Sequence, residues 1–173
     1  MGDQLAVSVE VAGVEQAPLL TNLLELYCHD LSPFFDLKVG PDGRFGYSRL
    51  PLYWSQPEKR RAFLIRHDAD LAGFILMRME SPLAEIPADF DVTEFFVLRR
   101  HRRSGVGRGA AFQLWDRYPG SWMVRVAESH KAARSFWETI IEAYTSDTFT
   151  QSRHSVDGRD RRVFVFSSLQ ADP

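Results

Sequence analysis

The sequence predicts an α/β fold in a single domain, 1–173, with elements in the order β α β β β α β α β. Three observations carry this reading. Apolar residues alternate along the chain between a spacing of two and a spacing of three to four, the marks of strands and amphipathic helices. The segment AFLIRHDADLAGFILMRM holds two apolar strands around Asp68-Ala69-Asp70, a connection too short for a crossover, so these strands pair antiparallel. Finally, 173 residues with 45% apolar and 25% charged side chains have the size and composition of one domain with a proper core, which excludes a disordered or fibrous chain.

Taken in order, residues 5–11 alternate loosely as a strand. Leu20, Leu23, Leu24, Tyr27 and Leu31 then recur at helical spacing until Ser32-Pro33 stops them. From Asp36 to Pro57 comes a long segment rich in glycine and proline that also carries Phe45, Tyr47, Leu52, Tyr53 and Trp54. Long irregular segments in compact domains tend to be functional; this one reads equally as a cap over the core or as a substrate lid, with Tyr53 and Trp54 as acceptor contacts. After the hairpin, DFDVTEFFVL is a further strand ending near Leu98. A basic turn at 99–107 leads into a helix from Arg108 to Tyr118, with Ala111, Leu114, Trp115 and Tyr118 on one face and Pro119-Gly120 as its stop. A strand at 121–127 follows. The next helix starts near Lys131 and carries the stripe Ala133, Phe136, Trp137, Ile140, Ile141 and Tyr144. The last strand spans 162–166.

Charge and cysteine content narrow the function. With 21 basic against 23 acidic residues the net charge is −2, so no global field draws nucleic acid or an anionic membrane. No apolar run approaches the ~18 residues of a membrane span, and the start MGDQLAVSVE lacks the basic and apolar regions of a signal peptide; a cytoplasmic location is expected. Cys28 is the single cysteine and falls in the apolar pattern of the first helix, a core position rather than a nucleophile. The histidines at 29, 67, 101, 130 and 154 show no metal-ligand spacing, so no metal is expected.

Chemistry concentrates in the basic turn. Arg99, Arg100, Arg102, Arg103 and Arg108 surround Gly105 and Gly107 between a strand and a helix. Free amides at a helix N-terminus, the helix dipole and close approach over glycine together make a phosphate site, and arginine adds bidentate contacts. Gly105, Gly107 and Ala110 also fit a dinucleotide fingerprint with Glu128 as its ribose acid. That reading fails because the glycines come late after the strand and too little chain follows Glu128 for further βα units. A P-loop fails for want of Lys-Ser/Thr after the glycines. RNA binding through the arginines lacks interleaved aromatics and a positive surplus.

Phe95-Phe96-Val97-Leu98 followed by Arg102-Arg103-Ser104-Gly105-Val106-Gly107-Arg108 resembles the RxxGxG acetyl-CoA motif of the Gcn5-related N-acetyltransferase (GNAT) superfamily, in a poorly characterised branch. Downstream, His130 stands where that superfamily has Asn, Ala133 matches, and Phe136-Trp137 replaces Phe-Tyr, so the tyrosine often assigned to protonate the thiolate is absent. The resemblance implies a mixed, largely antiparallel sheet flanked by helices and splayed between two parallel neighbouring strands, with acetyl-CoA as cosubstrate in the splay. It implies pantetheine on the backbone of Phe96, Val97 and Leu98, pyrophosphate on the amides from Arg103 to Arg108, and His130 and Trp137 beside the cofactor.

The implied activity is acetyl transfer to a primary amine by direct attack in a ternary complex, in a monomer or homodimer; the alternative is a non-catalytic CoA-binding or interaction module on the same fold. An amine of pKa near 10.4 is only about 0.04% neutral at pH 7, a cost of about 4.6 kcal/mol, so a proton acceptor helps. Glu94 is the favoured base and Asp91 the second. Strict alternation puts Glu94 on one face with Phe96 and Leu98, and Asp91 on the other with Phe95 and Val97. Tyr27, Tyr53 and Tyr144 are the hydroxyls available as acid, Tyr27 being also an acceptor contact.

Overall fold

In the computed structural model, which describes residues 7–156 and 158–168, the domain is built on one seven-stranded sheet ordered β1-β2-β3-β4-β5-β7-β6. Its strands are β1 (Val7–Val11), β2 (Arg60–His67), β3 (Asp70–Arg78), β4 (Phe90–Val97), β5 (Gly120–Ala127), β6 (Phe149–Val156) and β7 (Arg159–Ser168). The helices are α1 (Ala17–Leu31), the single turn α2 (Leu52–Ser55), α3 (Val106–Arg117) and α4 (Lys131–Thr145). Leu5 and Ala6 of the expected first strand lie outside the described residues. All neighbours pair antiparallel except β4 and β5. The mixed, splayed sheet is therefore present.

The strand order differs from the expected series by one element. β6, with the sequence FTQSRHSV, pairs only with β7 and forms the sheet edge. An edge strand has one neighbour and needs little apolar surface, so its polar sequence hides it from a periodicity reading. The basic turn also enters its helix sooner than expected. Gly105 holds φ 85° as N-cap, so α3 begins at Val106 and takes Gly107 into its first turn.

The sheet faces differ in chemistry. On one, Phe63, Ile75, Val92, Trp122, Val124 and Phe164 meet Ala110, Leu114 and Trp115 of α3 and Trp137, Ile140 and Ile141 of α4. On the other, Leu64, Phe74, Leu76 and Phe96 meet Leu20, Leu23 and Leu24 of α1 and Leu50 and Tyr53 of the 36–57 segment. That segment is tied down by α1: the amides of Phe45 and Gly46 donate to the Glu25 carboxylate at 2.7 and 3.0 Å.

A bulge in β4 sets the geometry of the site. Leu76 pairs with Glu94 and Met77 with Val92, leaving Thr93 as the extra residue. The bulge inverts the side-chain parity upstream of it. Asp91 therefore lies on the α1 face together with Glu94, and the expected separation of the two acids onto opposite faces is incorrect.

Candidate active site

β4 and β5 run parallel but pair only at Phe90–Trp122, Asp91–Met123 and Val92–Val124. Beyond Val92 they part, and a cavity of about 1020 Å³ opens between them. Its walls run from Gly105, Gly107 and Arg108 at the start of α3, past Phe95, Val97, Ala127, His130 and Phe136, to Tyr27, Tyr47, Glu94, Arg125 and Arg161.

At the α3 end, the first helical bond runs from the Gly109 amide to the Gly105 carbonyl at 2.9 Å, and among the described residues the amides of Val106, Gly107 and Arg108 have no backbone acceptor. Arg103, itself at φ 61°, brings a second left-handed backbone to the turn. These are the ingredients of an anion cradle. A Cβ on Gly107 would come within 3.0 Å of the Phe136 ring, so glycine keeps the helix close to α4.

The arginines are not all free for that cradle. Asp30 of α1 binds Arg99 at 2.6 Å and Arg102 at 2.5 Å, and Arg102 also donates to the Val97 carbonyl at 2.7 Å. Burial pushes the Asp30 carboxyl up, but the hydrogen bonds from Arg102 and Arg99 outweigh it and hold the group below its usual range. Arg103 and Arg108 have no acidic partner among the described residues; Arg108 lies over the Phe112 ring. Ser104 turns its hydroxyl to the His101 carbonyl at 2.8 Å, and Val106 is buried core.

The splay-facing backbone also differs from expectation. The Phe96 carbonyl is directed at Gly73 of β3, where a Cβ would meet it at 1.9 Å, and the Leu98 amide donates to the Ala72 carbonyl. Peptide groups alternate in direction along a strand, so Phe95 and Val97 face the gap. Phe96 and Leu98 give their backbones to the β3 ladder.

His130 serves as N-cap of α4, its Nδ1 accepting from the Ala133 amide at 3.3 Å, and its ring stacks on Phe34 with centroids 3.9 Å apart. Desolvation lowers its pKa, with nearby Arg102 acting the same way. Trp137 is buried and packs against Phe95, Phe136 and Trp115 in an aromatic wall.

At the other end stands Glu94. The hydroxyls of Tyr27 and Tyr47 donate to its two oxygens at 2.6 and 3.0 Å. Desolvation raises the Glu94 pKa, and Asp91 adds to the rise; Tyr27, Tyr47 and Arg125 oppose it without cancelling it. Asp91, fully buried, is held by Arg125 through two 2.9 Å bonds, Nε to Oδ1 and Nη2 to Oδ2. That fork engages both oxygens of Asp91 with a cation, whereas Glu94 is held by neutral hydroxyls. Cys28 lines the cavity too, but burial, Glu94 and Glu25 push its thiol up to about 11 and leave it inert.

Of the candidate hydroxyls, Tyr27 alone reaches the cavity wall. Tyr144 donates to Asp116 at 2.7 Å and packs on Phe112 and Trp115 behind α4. Tyr53 is 3% exposed in the α1-face core, and Trp54 donates its indole N–H to the Ala12 carbonyl at 3.0 Å. Neither lines the cavity; the 36–57 segment contributes Leu37, Tyr47 and Arg49 instead. Glu128 binds Arg134 and Arg162, with no role at the turn. Among the described residues no group of three or more His, Cys, Asp or Glu is arranged to hold a metal.

No model of a known protein family matches the sequence, and no curated protein matches it. Solved structures do. An acetyltransferase from Thermus thermophilus shares 19% identity, with 94% of this chain and 97% of that one covered at a TM-score of 0.62. The ribosomal-protein-S18-alanine N-acetyltransferase of Escherichia coli shares 15%, covering 96% and 97%, TM-score 0.60. Spermidine N-acetyltransferase from Vibrio cholerae, solved with CoA and spermine, shares 12%, covering 94% and 95%, TM-score 0.63. At these identities the likeness establishes the fold, that of the GNAT acetyltransferases, over nearly the whole chain.

Proposed function

We propose that this protein is an acetyl-CoA-dependent N-acetyltransferase whose amine acceptor attacks the thioester directly inside the β4–β5 cavity. The observation that carries the reading is the continuity of that cavity, from free amides and two arginines without acidic partners at the start of α3 to a carboxylate with a raised pKa at its far end. The fold, shared with acetyltransferases, and the CoA in the spermidine enzyme's structure support the donor.

In this reading the pyrophosphate sits on the amides of Val106, Gly107 and Arg108 with Arg103 and Arg108 alongside, and the pantetheine follows the backbone of Phe95 and Val97. The acceptor enters as an ammonium and gives a proton to Glu94. The neutral nitrogen attacks the thioester carbonyl, the C–S bond breaks, and the thiolate leaves with the second nitrogen proton as its eventual partner. Thiolate is a tolerable leaving group at a pKa of about 8.5, so Trp137 in place of a tyrosine does not block the step. Nothing here requires a metal or a second macromolecule, and we place the protein in the cytoplasm.

One observation favours a second reading, a CoA-binding module without turnover: the buried Trp137 puts no hydroxyl beside the sulfur. Titration calorimetry with CoA, followed by mass spectrometry of an amine library incubated with acetyl-CoA, separates the two. We expect micromolar CoA binding and an acetylated product. Binding without product from any amine would establish the module, and no binding would remove both readings.

A further inference from the structure

The acceptor end of the cavity carries two opposite charges that the domain does not pair with one another or with close counterions. Glu94 is held by tyrosine hydroxyls. Arg161, on β7 opposite Ala127, lines the same cavity, and among the described residues no carboxylate lies within ion-pair distance of it. Its Nε is buried with no hydrogen-bond acceptor, and its guanidinium lies over the Phe35 ring, 5.1 Å from the centroid. Of the other charges of the cavity, Arg103 and Arg108 stand at the α3 cradle. Arg125 is committed to Asp91, and Asp30 to Arg99 and Arg102. Arg49 is exposed on the 36–57 segment. A buried guanidinium N–H without an acceptor is a costly feature, and its cost is offset when an anion binds.

We propose that the acceptor is a zwitterion, a primary amine bearing a carboxylate, with Arg161 as the residue that holds the carboxylate while Glu94 receives the ammonium proton. The proposal rests on the acetyl-transfer reading and names its substrate class. Arg125 shows the chemistry within the same sheet, where the Nε edge of a guanidinium grips both oxygens of Asp91. A carboxylate on the acceptor would meet the guanidinium of Arg161 from the cavity that both line. A free polyamine, by contrast, places positive charge beside Arg161 with nothing to offset it.

Matched probes test this: the common L-amino acids, their carboxamides and their decarboxylated amines, with spermidine as the polycation, each assayed by thiol release from acetyl-CoA and by product mass. We expect the carboxylate members to be acetylated in preference. Arg161→Gln should raise their KM by about 10- to 100-fold, the worth of a charge-assisted contact, with kcat within about threefold and no change for the carboxamides. Arg161→Lys should recover part of the loss and serves as the folding control.

A second measurement does not depend on turnover: calorimetric titration of the protein and of its CoA complex with N-acetyl-L-amino acids and with their amides. Binding of the acids that Arg161→Gln abolishes supports the anchor even if acetyl-CoA proves not to be the donor. Preference for carboxamides, amines or spermidine overturns the anchor while leaving acetyl transfer standing. So does an Arg161→Gln effect equal on acids and amides, or absence of binding by any acid when CoA binds.

Discussion

The two ends of the cavity treat charge in opposite ways. At the α3 end, charge is supplied in excess and then trimmed: of the arginines at the turn, Asp30 neutralises Arg99 and Arg102, which leaves Arg103, Arg108 and the open backbone amides. At the other end, the charges are set among hydroxyls and aromatic rings, with Asp91 and Arg125 paired and Glu94 held by tyrosines. In the proposed reaction the difference follows from what each end must do. A highly charged diphosphate is bound well by many weak, solvent-exposed donors. Moving one proton off an amine instead needs a single carboxylate whose affinity for that proton has been raised by removal of water.

Four changes break or sharpen this contrast, two at each end. The largest effect belongs to Glu94→Gln. It removes the proton acceptor and should lower kcat/KM by about 10²–10⁴ with CoA affinity intact, the loss shrinking as pH rises and the amine arrives neutral. Stability should move the other way. Because the folded-state pKa of Glu94 lies above its unfolded value, its protonated form is favoured by folding, and stability is lost as pH rises through the folded value. The glutamine variant should melt at or above the wild-type temperature at pH 7, as differential scanning calorimetry would show. A lower melting point combined with unchanged kinetics would mean that the carboxylate is structural.

Next comes Gly107→Glu, which sets a carboxylate against the anion cradle. Calorimetry should show CoA binding weakened by about 10- to 100-fold, while Gly107→Ala, whose methyl meets the side chains of Phe136 and Val97 rather than backbone, should cost far less. Equal losses would make the glycine a packing residue only.

Asp30→Asn is a smaller effect with the opposite sign. Releasing Arg99 and Arg102 toward the cradle should tighten CoA binding by a few-fold and steepen its dependence on ionic strength. Asp30 is held below its ordinary pKa, so its stabilisation is present at neutral pH and is lost as pH falls below the usual carboxylate range. The asparagine variant should therefore lose less stability on acidification than the wild type, as melting curves between neutral and acid pH would record.

The smallest is Tyr47→Phe. Its hydroxyl lowers the Glu94 pKa against the pull of burial, so its removal should move the acid limb of the kcat/KM profile to higher pH with the plateau nearly unchanged. A shift to lower pH would assign that limb to another group.

The two ends also differ in how far the sequence discloses them. The anion turn is a contiguous run of arginines and glycines between two periodic elements, and each of its parts is local. The acceptor end is assembled from α1, the 36–57 segment, β4, β5 and β7. Arg125 had a faint signal, a lone charge inside the apolar run WMVRVA; Arg161 had none among the arginines of GRDRRV. Asp30 lay in view beside His29, but its service to the arginines depends on where α1 ends relative to the turn. The Thr93 bulge is invisible because alternation is a rule about regular strands, and one extra residue carries Asp91 to the other face. The polar β6 escaped for the same reason that it tolerates being polar, its place at the edge.

The gap between β4 and β5 bears on how the domain comes apart as well as on what it binds. β1–β4 form an antiparallel meander, β5–β7–β6 a second antiparallel unit, and only three residue pairs join them, Phe90–Trp122, Asp91–Met123 and Val92–Val124. The sheet is two independently laddered panels on a short seam, backed by the shared core of Val92, Val124, Trp115 and Phe164. Local opening follows such weak joints, so the gap-facing amides of Phe95 and Val97 should exchange with solvent before the amides laddered within either panel, and a ligand laid in the gap becomes the missing stitching between the panels.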